Sequence, residues 1–216
     1  MASKKKAELD LAPGVTMRRV PRQARARLRV ATILSAAREL VVEKGSDAMK
    51  MSELAARAGI SIGSLYQYFP DKPAVLRELA LEFMGRVRLF LEDALADISS
   101  EKDALDRCVA ATDGYYRLLL SDPGSRDVWA STQGDKQLQR LDVEDSRANG
   151  RLIAEALRPF VVAARQPQLE ATCFLFAHLA GATARLALAV EPDEGDRLMS
   201  ELCDTVRHGL EKVLRG

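Results

Sequence analysis

The chain has 216 residues and a mass of 23.7 kDa, with 47% hydrophobic and 29% charged residues. This composition excludes wholesale disorder and suits one large domain, or a small domain joined to a larger one. The formal net charge of +1 hides an asymmetry: residues 1–72 carry 14 Lys and Arg against 7 Asp and Glu, and the rest carries 18 against 24. A basic front on an acidic back points to a polyanion-binding end on a body of another purpose. Three scattered cysteines (Cys108, Cys173, Cys203) suit a reducing compartment and argue against a disulfide framework or clustered zinc site. No apolar stretch follows Lys4, Lys5 and Lys6, so no secretory leader is expected and a cytoplasmic protein is.

In chain order, residues 1–24 are polar, basic and broken by Pro13, Gly14 and Pro21. They read as a flexible arm. From about 25 the pattern is helical, without alternating strands or repeats, so the fold class is all-α. A first helix over 25–44 repeats Val30, Ile33, Leu34, Ala37, Leu40 and Val41 at three- and four-residue steps and stops at Gly45. A short helix over 52–58, capped by Ser52, ends at Gly59, and another spans 62–69. Asp71 and Pro73 open a long helix over 72–97, followed by one over 101–120. A short helix carrying Val128 and Trp129 lies between the breaks Asp122-Pro123-Gly124 and Gly134. A further helical region ends near Arg158-Pro159, the eighth helix runs from Pro167 to Glu191-Pro192, and Asp193 caps the last. Segment 171–190 has the length of a membrane span, but His178 and Arg185 within it favour a buried helix of a soluble bundle.

The informative stretch is Met51 to Lys72. Leu54, Ala58, Ile60 and Leu65, with Tyr68 or Phe69, supply a buried side. Ala55 is small where two helices approach, Gly59 allows a left-handed turn, and Ser61 caps the second helix. This is the layout of a helix-turn-helix, whose second helix enters a DNA major groove. The outward residues would be Ile62, Gly63, Ser64, Tyr66 and Gln67. Gln67 has an amide that both donates and accepts at a base edge. Ser64, Tyr66 and Tyr68 have hydroxyls for phosphate, although Tyr68 fits the core equally well. Lys72 adds positive charge at a helix start.

The residues AARAGIS and GSLYQYFPDKPAVL between Ala55 and Leu76 resemble the DNA-binding domain of the TetR (tetracycline-repressor-like) transcriptional regulators. The resemblance covers residues 25–85 or so. It implies DNA contacts at Lys50, Met51, Ser52, Ser61, Ile62, Gly63, Ser64, Tyr66, Gln67, Tyr68 and Lys72. It divides the chain into an arm (1–24), a helix-turn-helix head (25–71) and a ligand-binding, dimerising body (72–216). The function it implies is that of a homodimeric regulator of double-stranded DNA, a repressor released from a palindromic operator by a small molecule. Lys4–Lys6, Arg18, Arg19 and Arg22 would be soluble tail or a DNA-contacting arm.

In the body, Ala177, Ala180, Gly181 and Ala184 recur at three- and four-residue steps, and Leu202, Val206 and Leu210 share a face. Together they are the expected dimer interface, as a self-complementary four-helix contact. Candidate ligand contacts are Tyr115, Tyr116, Trp129, Phe174 and His178. Asp142, Glu144 and Asp145 read as a solvated helix start, and Arg117 and Arg185 as structural ion-pair partners. Cys173 and His178, like Cys203 and His208, are five residues apart, about 140° from alignment on a helix, so neither pair chelates a metal. With no phosphate loop, HExxH or GxSxG, neither an enzyme nor a cofactor is expected. The alternatives are a DNA-binding adaptor without an effector and, more remotely, an all-helical enzyme.

Overall fold

A computed structural model describes residues 22–131 and 135–215. Most of the expected arm, residues 1–21, lies outside that range. The described residues form nine α-helices, with two short 3-10 turns after the seventh, and no strand. They are α1 (Arg22–Lys44), α2 (Met51–Arg57), α3 (Ile62–Tyr68), α4 (Lys72–Ala94), α5 (Glu101–Leu120), α6 (Pro123–Ser131), α7 (Lys136–Leu157), α8 (Gln166–Ala187) and α9 (Pro192–Arg215).

Several boundaries differ from the sequence expectation for local reasons. α1 begins three residues early, inside the expected arm. α2 begins at Met51, so Ser52 lies within the helix and Lys50 takes the cap position without a side-chain bond. α4 ends at Ala94 rather than 97, because Leu95 closes the last turn and Asp97 adopts a left-handed backbone, φ 53°, which Asp tolerates. α8 stops at Ala187, where Leu188 N–H bonds to Ala184 and Ala189 N–H to Leu186, tightening the final turn. Side-chain caps start α3 (Ser61), α4 (Asp71), α5 (Ser100) and α7 (Asp135). Each typically contributes about 1 kcal/mol.

α1, α2 and α3 form a small head around Ile33, Ala37, Leu40, Leu54 and Leu65, all essentially inaccessible. Its surface is tied by ion pairs Lys44–Glu53 (2.5 Å) and Arg57–Glu43 (2.6 Å). Val75, Leu79, Ala80, Phe83 and Val87 form the buried stripe of α4, which runs from the head into the body. α1 also packs on α6, a second joint between head and body. Within the body, α7 packs on α8, and α9 packs on both α5 and α8. No helix among the described residues is long and apolar enough to cross a membrane.

The α7–α8 crossing depends on Gly150. A Cβ there would lie 2.6 Å from the Cα of Phe174 and 2.8 Å from its backbone nitrogen. Two opposed effects meet at this position. Helix propensity favours Ala over Gly by about 1 kcal/mol, while overpacking against a backbone that cannot rotate away costs roughly 1–3 kcal/mol. Gly150→Ala is therefore expected to lower the thermal midpoint, read by calorimetry. An unchanged or raised midpoint would show that the two helices separate freely at this point.

Candidate nucleic-acid interface and the cavity behind it

The turn between α2 and α3 follows from its backbone bonds. Ile60 N–H reaches Ala55 C=O (3.0 Å) and Gly59 N–H reaches Ala56 C=O (3.1 Å). This Schellman pattern requires a left-handed residue between them, and Gly59 supplies it at φ 65°. Ser61 then accepts from Ser64 N–H (3.1 Å) to start α3. Leu65 and Phe69 face inward and fix the rotation of α3. That rotation leaves Ile62, Gly63, Tyr66 and Gln67 exposed along one face, with Tyr66 half accessible. Ser64 is half-buried, and Tyr68 packs partly against the core.

Lys50 and Ser52 are exposed at the start of α2, whereas Met51 is half-buried against the core. Among the described residues, Arg25, Arg27, Arg29 and Lys50 carry no ion pair, while Arg38, Lys44 and Arg57 are neutralised by Glu82, Glu53 and Glu43. Lys72, likewise without an ion pair among the described residues, is tied to the α1–α2 turn. Its Nζ donates to the carbonyls of Ser46 (3.1 Å) and Asp47 (2.9 Å). Asp127 on α6 accepts from the N–H of the same Ser46 (2.6 Å). The buried backbone of Ser46 in the α1–α2 turn is thus held from α4 and from α6.

Behind the head, a cavity of about 70 Å³ lies in the body. α4 contributes Phe83, Met84, Val87 and Leu91, and α5 contributes Cys108, Thr112 and Tyr115. α7 contributes a polar edge of Asp142, Asp145, Ser146 and Asn149, and α8 contributes Cys173, Phe176, Ala177, Ala180 and Gly181. Trp129 of α6 completes the wall.

Of the expected ligand contacts, the structure brings Tyr115 and Trp129 to this cavity and excludes three from its wall. Tyr116 is buried toward Gly195 and Asp196 of α9. Phe174 lies under the guanidinium of Arg147, 4.3 Å from its ring centroid. His178 stands behind the wall, its Nδ1 3.1 Å from Ser146 Oγ.

The acidic run is corrected as well. Asp142 and Asp145 line the cavity instead of marking a solvated start, and they pair with Arg185 (3.4 Å) and Arg88 (3.0 Å). Burial pushes the Asp145 carboxyl up despite Arg88, and raises the Tyr115 phenol to about 12 and the Cys108 thiol to about 12. Arg185 also stacks on Trp129, 5.5 Å from the ring centroid. Arg117 pairs with Asp113 on the surface (2.6 Å). The polar edge was visible only as acidic spacing at 142 and 145; the burial of that face was not.

The expected dimer residues need a further correction. Leu202, Val206 and Leu210 are 7%, 3% and 1% exposed within one protomer, and Ala184 is wholly buried. Ala177, Ala180 and Gly181 face the cavity. The small-residue spacing of α8 therefore serves packing inside the subunit. The outward face of α8 instead carries Leu175 and Leu186, each 53% exposed, with Leu179 and Ala182 half-buried between them.

Comparison with known proteins agrees with this architecture. Residues 33–79 match the model of bacterial regulatory proteins of the tetR family, and residues 102–214, just over half the chain, match the tetracyclin repressor-like C-terminal domain. A fatty acid metabolism regulator protein of Bacillus subtilis is 31% identical over 90 residues, 42% of this chain. An uncharacterized HTH-type transcriptional regulator of the same species, YdgC, is 34% identical over 89 residues, 41% of this chain. The chain covers 45% of the length of each of these curated relatives.

Solved structures with the same fold include the TetR family repressor AlkX of a Dietzia species, at TM-score 0.62 and 19% identity, covering 87% of this chain and 98% of that one. RolR in complex with resorcinol aligns at TM-score 0.63 and 18% identity, covering 89% and 98%. A TetR-family regulator of Pectobacterium atrosepticum aligns at 0.64 and 22%, covering 91% and 99%. With a helix-turn-helix head, an all-helical fold among the described residues and matches to both parts of the family, the chain belongs to the TetR family of transcriptional regulators.

Proposed function

We propose that this protein is a homodimeric, ligand-responsive regulator that binds a palindromic DNA operator in the cytoplasm and leaves it when a small molecule occupies the body. It would act as a repressor and not as an enzyme. The head (25–71) reads DNA and the body (72–216) senses and dimerises. The observation that carries the reading is α4. Its first turn holds the α1–α2 turn through Lys72, and its middle lines the cavity through Phe83, Met84, Val87 and Leu91. A ligand larger than the 70 Å³ cavity must displace a wall, and α4 is a wall connected to the head. Coupling then needs only a ligand that prefers the widened state. The resorcinol complex of RolR and the implication of AlkX in n-alkane biodegradation support a small organic effector.

The DNA face is Ile62, Gly63, Tyr66 and Gln67, flanked by Lys50, Ser52 and the backbone of Met51, with Ser61 and Ser64 hydroxyls at its edge. Tyr68 and Lys72 support it from behind. For the dimer, the exposed Leu175 and Leu186 of α8 replace the buried leucines as the self-complementary surface. Two heads would then meet half-sites about one helical turn apart.

Selection from random duplex DNA is expected to enrich an inverted repeat whose binding weakens steeply with salt. Salt-sensitive binding without a motif would argue for an architectural protein, and no binding would defeat the regulator reading. Gln67→Ala is expected to relax base preference at one position per half-site, costing about 1–3 kcal/mol there.

Lys72→Ala is expected to lower the thermal stability by about 1 kcal/mol through loss of its two carbonyl bonds, and to weaken binding to all sequences. Weaker binding at unchanged stability would return Lys72 to a direct phosphate role. Replacing Leu175 and Leu186 together with Arg is expected to give a folded monomer by light scattering, with operator affinity reduced. A persistent dimer would place the interface elsewhere.

A further inference from the structure

Two residues of the cavity wall each carry a buried polar atom with no hydrogen-bond partner. The atoms are Nε1 of Trp129 and Oδ1 of Asn149. Trp129 is 8% exposed and Asn149 6%, so water outside the fold does not serve them. Buried polar groups are paired in the great majority of cases, and each exception calls for a physical reason. The indole N–H only donates and the amide oxygen only accepts. A ligand hydroxyl can accept from the first or donate to the second.

The charges around these atoms are already spent on each other. Asp145 takes Arg88 on Oδ1 (3.0 Å) and the Asn149 amide N–H on Oδ2 (2.8 Å). Asp142 pairs with Arg185, which also covers the Trp129 ring. Tyr115, Cys108 and Cys173 also line the wall, and burial raises all three above their ordinary ranges, so they stay neutral at pH 7. An anionic head would face two carboxylates, and a cationic head would find both engaged. The Thr112 hydroxyl bonds Cys108 C=O and the Ser146 hydroxyl meets His178 Nδ1; much of the remaining wall is apolar, including Phe83, Val87 and Leu91 of α4 and Phe176 of α8. At about 70 Å³ the space is half of the roughly 150 Å³ that holds benzene in a dry cavity. One ring enters only if side chains such as Met84 yield.

We propose that this cavity binds a small uncharged amphiphile, one ring or a short chain bearing a hydroxyl-type group that accepts from Trp129 Nε1 or donates to Asn149 Oδ1. This rests on the reading of the body as the effector domain and names the chemistry of its effector.

The test compares phenol, benzyl alcohol, benzoate, benzylamine and toluene at equal concentration with the full chain, by thermal shift and calorimetry. Phenol and benzyl alcohol are expected to raise the midpoint, with benzoate and benzylamine inert and toluene weak. Asn149→Leu or Trp129→Phe is expected to weaken phenol about tenfold relative to toluene, according to which partner the hydroxyl takes. Using the phenol-to-toluene ratio removes any general loss of stability in the variants. Preference for benzoate or benzylamine, a ratio unchanged in both variants, or no binding by any of the five probes would overturn the proposal. Operator release is measured separately. Phenol bound without release would uphold the site and defeat only the effector reading, whereas release by a charged probe alone would do the reverse.

Discussion

The arrangement of this protein depends on the backbone of one residue, Ser46. Its N–H is taken by Asp127 of α6 and its C=O by Lys72 of α4, and the residue is 1% exposed. Both bonds are charge-assisted, and such bonds are shorter and stronger than neutral ones. Because the turn joins α1 to α2, fixing it fixes where the helix-turn-helix sits on the body. α6 is held in turn from α4, since Arg86 pairs with Asp122, whose other carboxylate oxygen caps the first turn of α6 through Ser125 N–H. The head is therefore attached to two helices that also wall the cavity, and the ion pair of Arg38 on α1 with Glu82 on α4 adds to the joint.

Legibility in the sequence followed the range of the interactions. The head was readable because its determinants are local: Gly59 in a left-handed turn, Ser61 three residues before the N–H it caps, and Leu65 and Phe69 one helical turn apart. The structural role of Lys72 was hidden for the opposite reason. Its carbonyl partners are 25 and 26 residues away, and a lysine at a helix start looks the same whether its ammonium meets phosphate or a turn.

The body was readable as helices but not as surfaces. An apolar stripe such as Leu202, Val206 and Leu210 has the same period whether it faces its own subunit or a second copy. The same holds for the small residues of α8, of which Ala177, Ala180 and Gly181 face the cavity and Ala184 is buried within one protomer. Asp142 and Asp145 resembled a solvated helix start because their partners, Arg185 and Arg88, come from other helices. Trp129 was legible as unusual, a large ring in a short helix between two breaks, and it does reach the cavity. Phe176, the ring of α8 that does line the cavity, could not be told from Phe174, which lies under Arg147.

These packing constraints also bear on which wall would yield if, as proposed, a ligand filled the cavity. α7 and α8 are locked by a backbone contact at Gly150 that leaves no room for a methyl group, and the apolar faces of α8 and α9 are buried against each other and α5. Interiors packed to this density shift as units, not by gradual deformation. α6 has nine residues, and its Trp129 is held at the cavity by a stacked guanidinium more than by a rigid backbone. α4 is fastened to α7 by ion pairs, Arg77–Asp135 (2.8 Å) and Arg88–Asp145 (3.0 Å), which tolerate sliding better than interdigitated glycine contacts do. Expansion of the cavity therefore falls on α4 and α6. Those are the two helices that grip Ser46, so a change of wall position becomes a change of head position without any longer route.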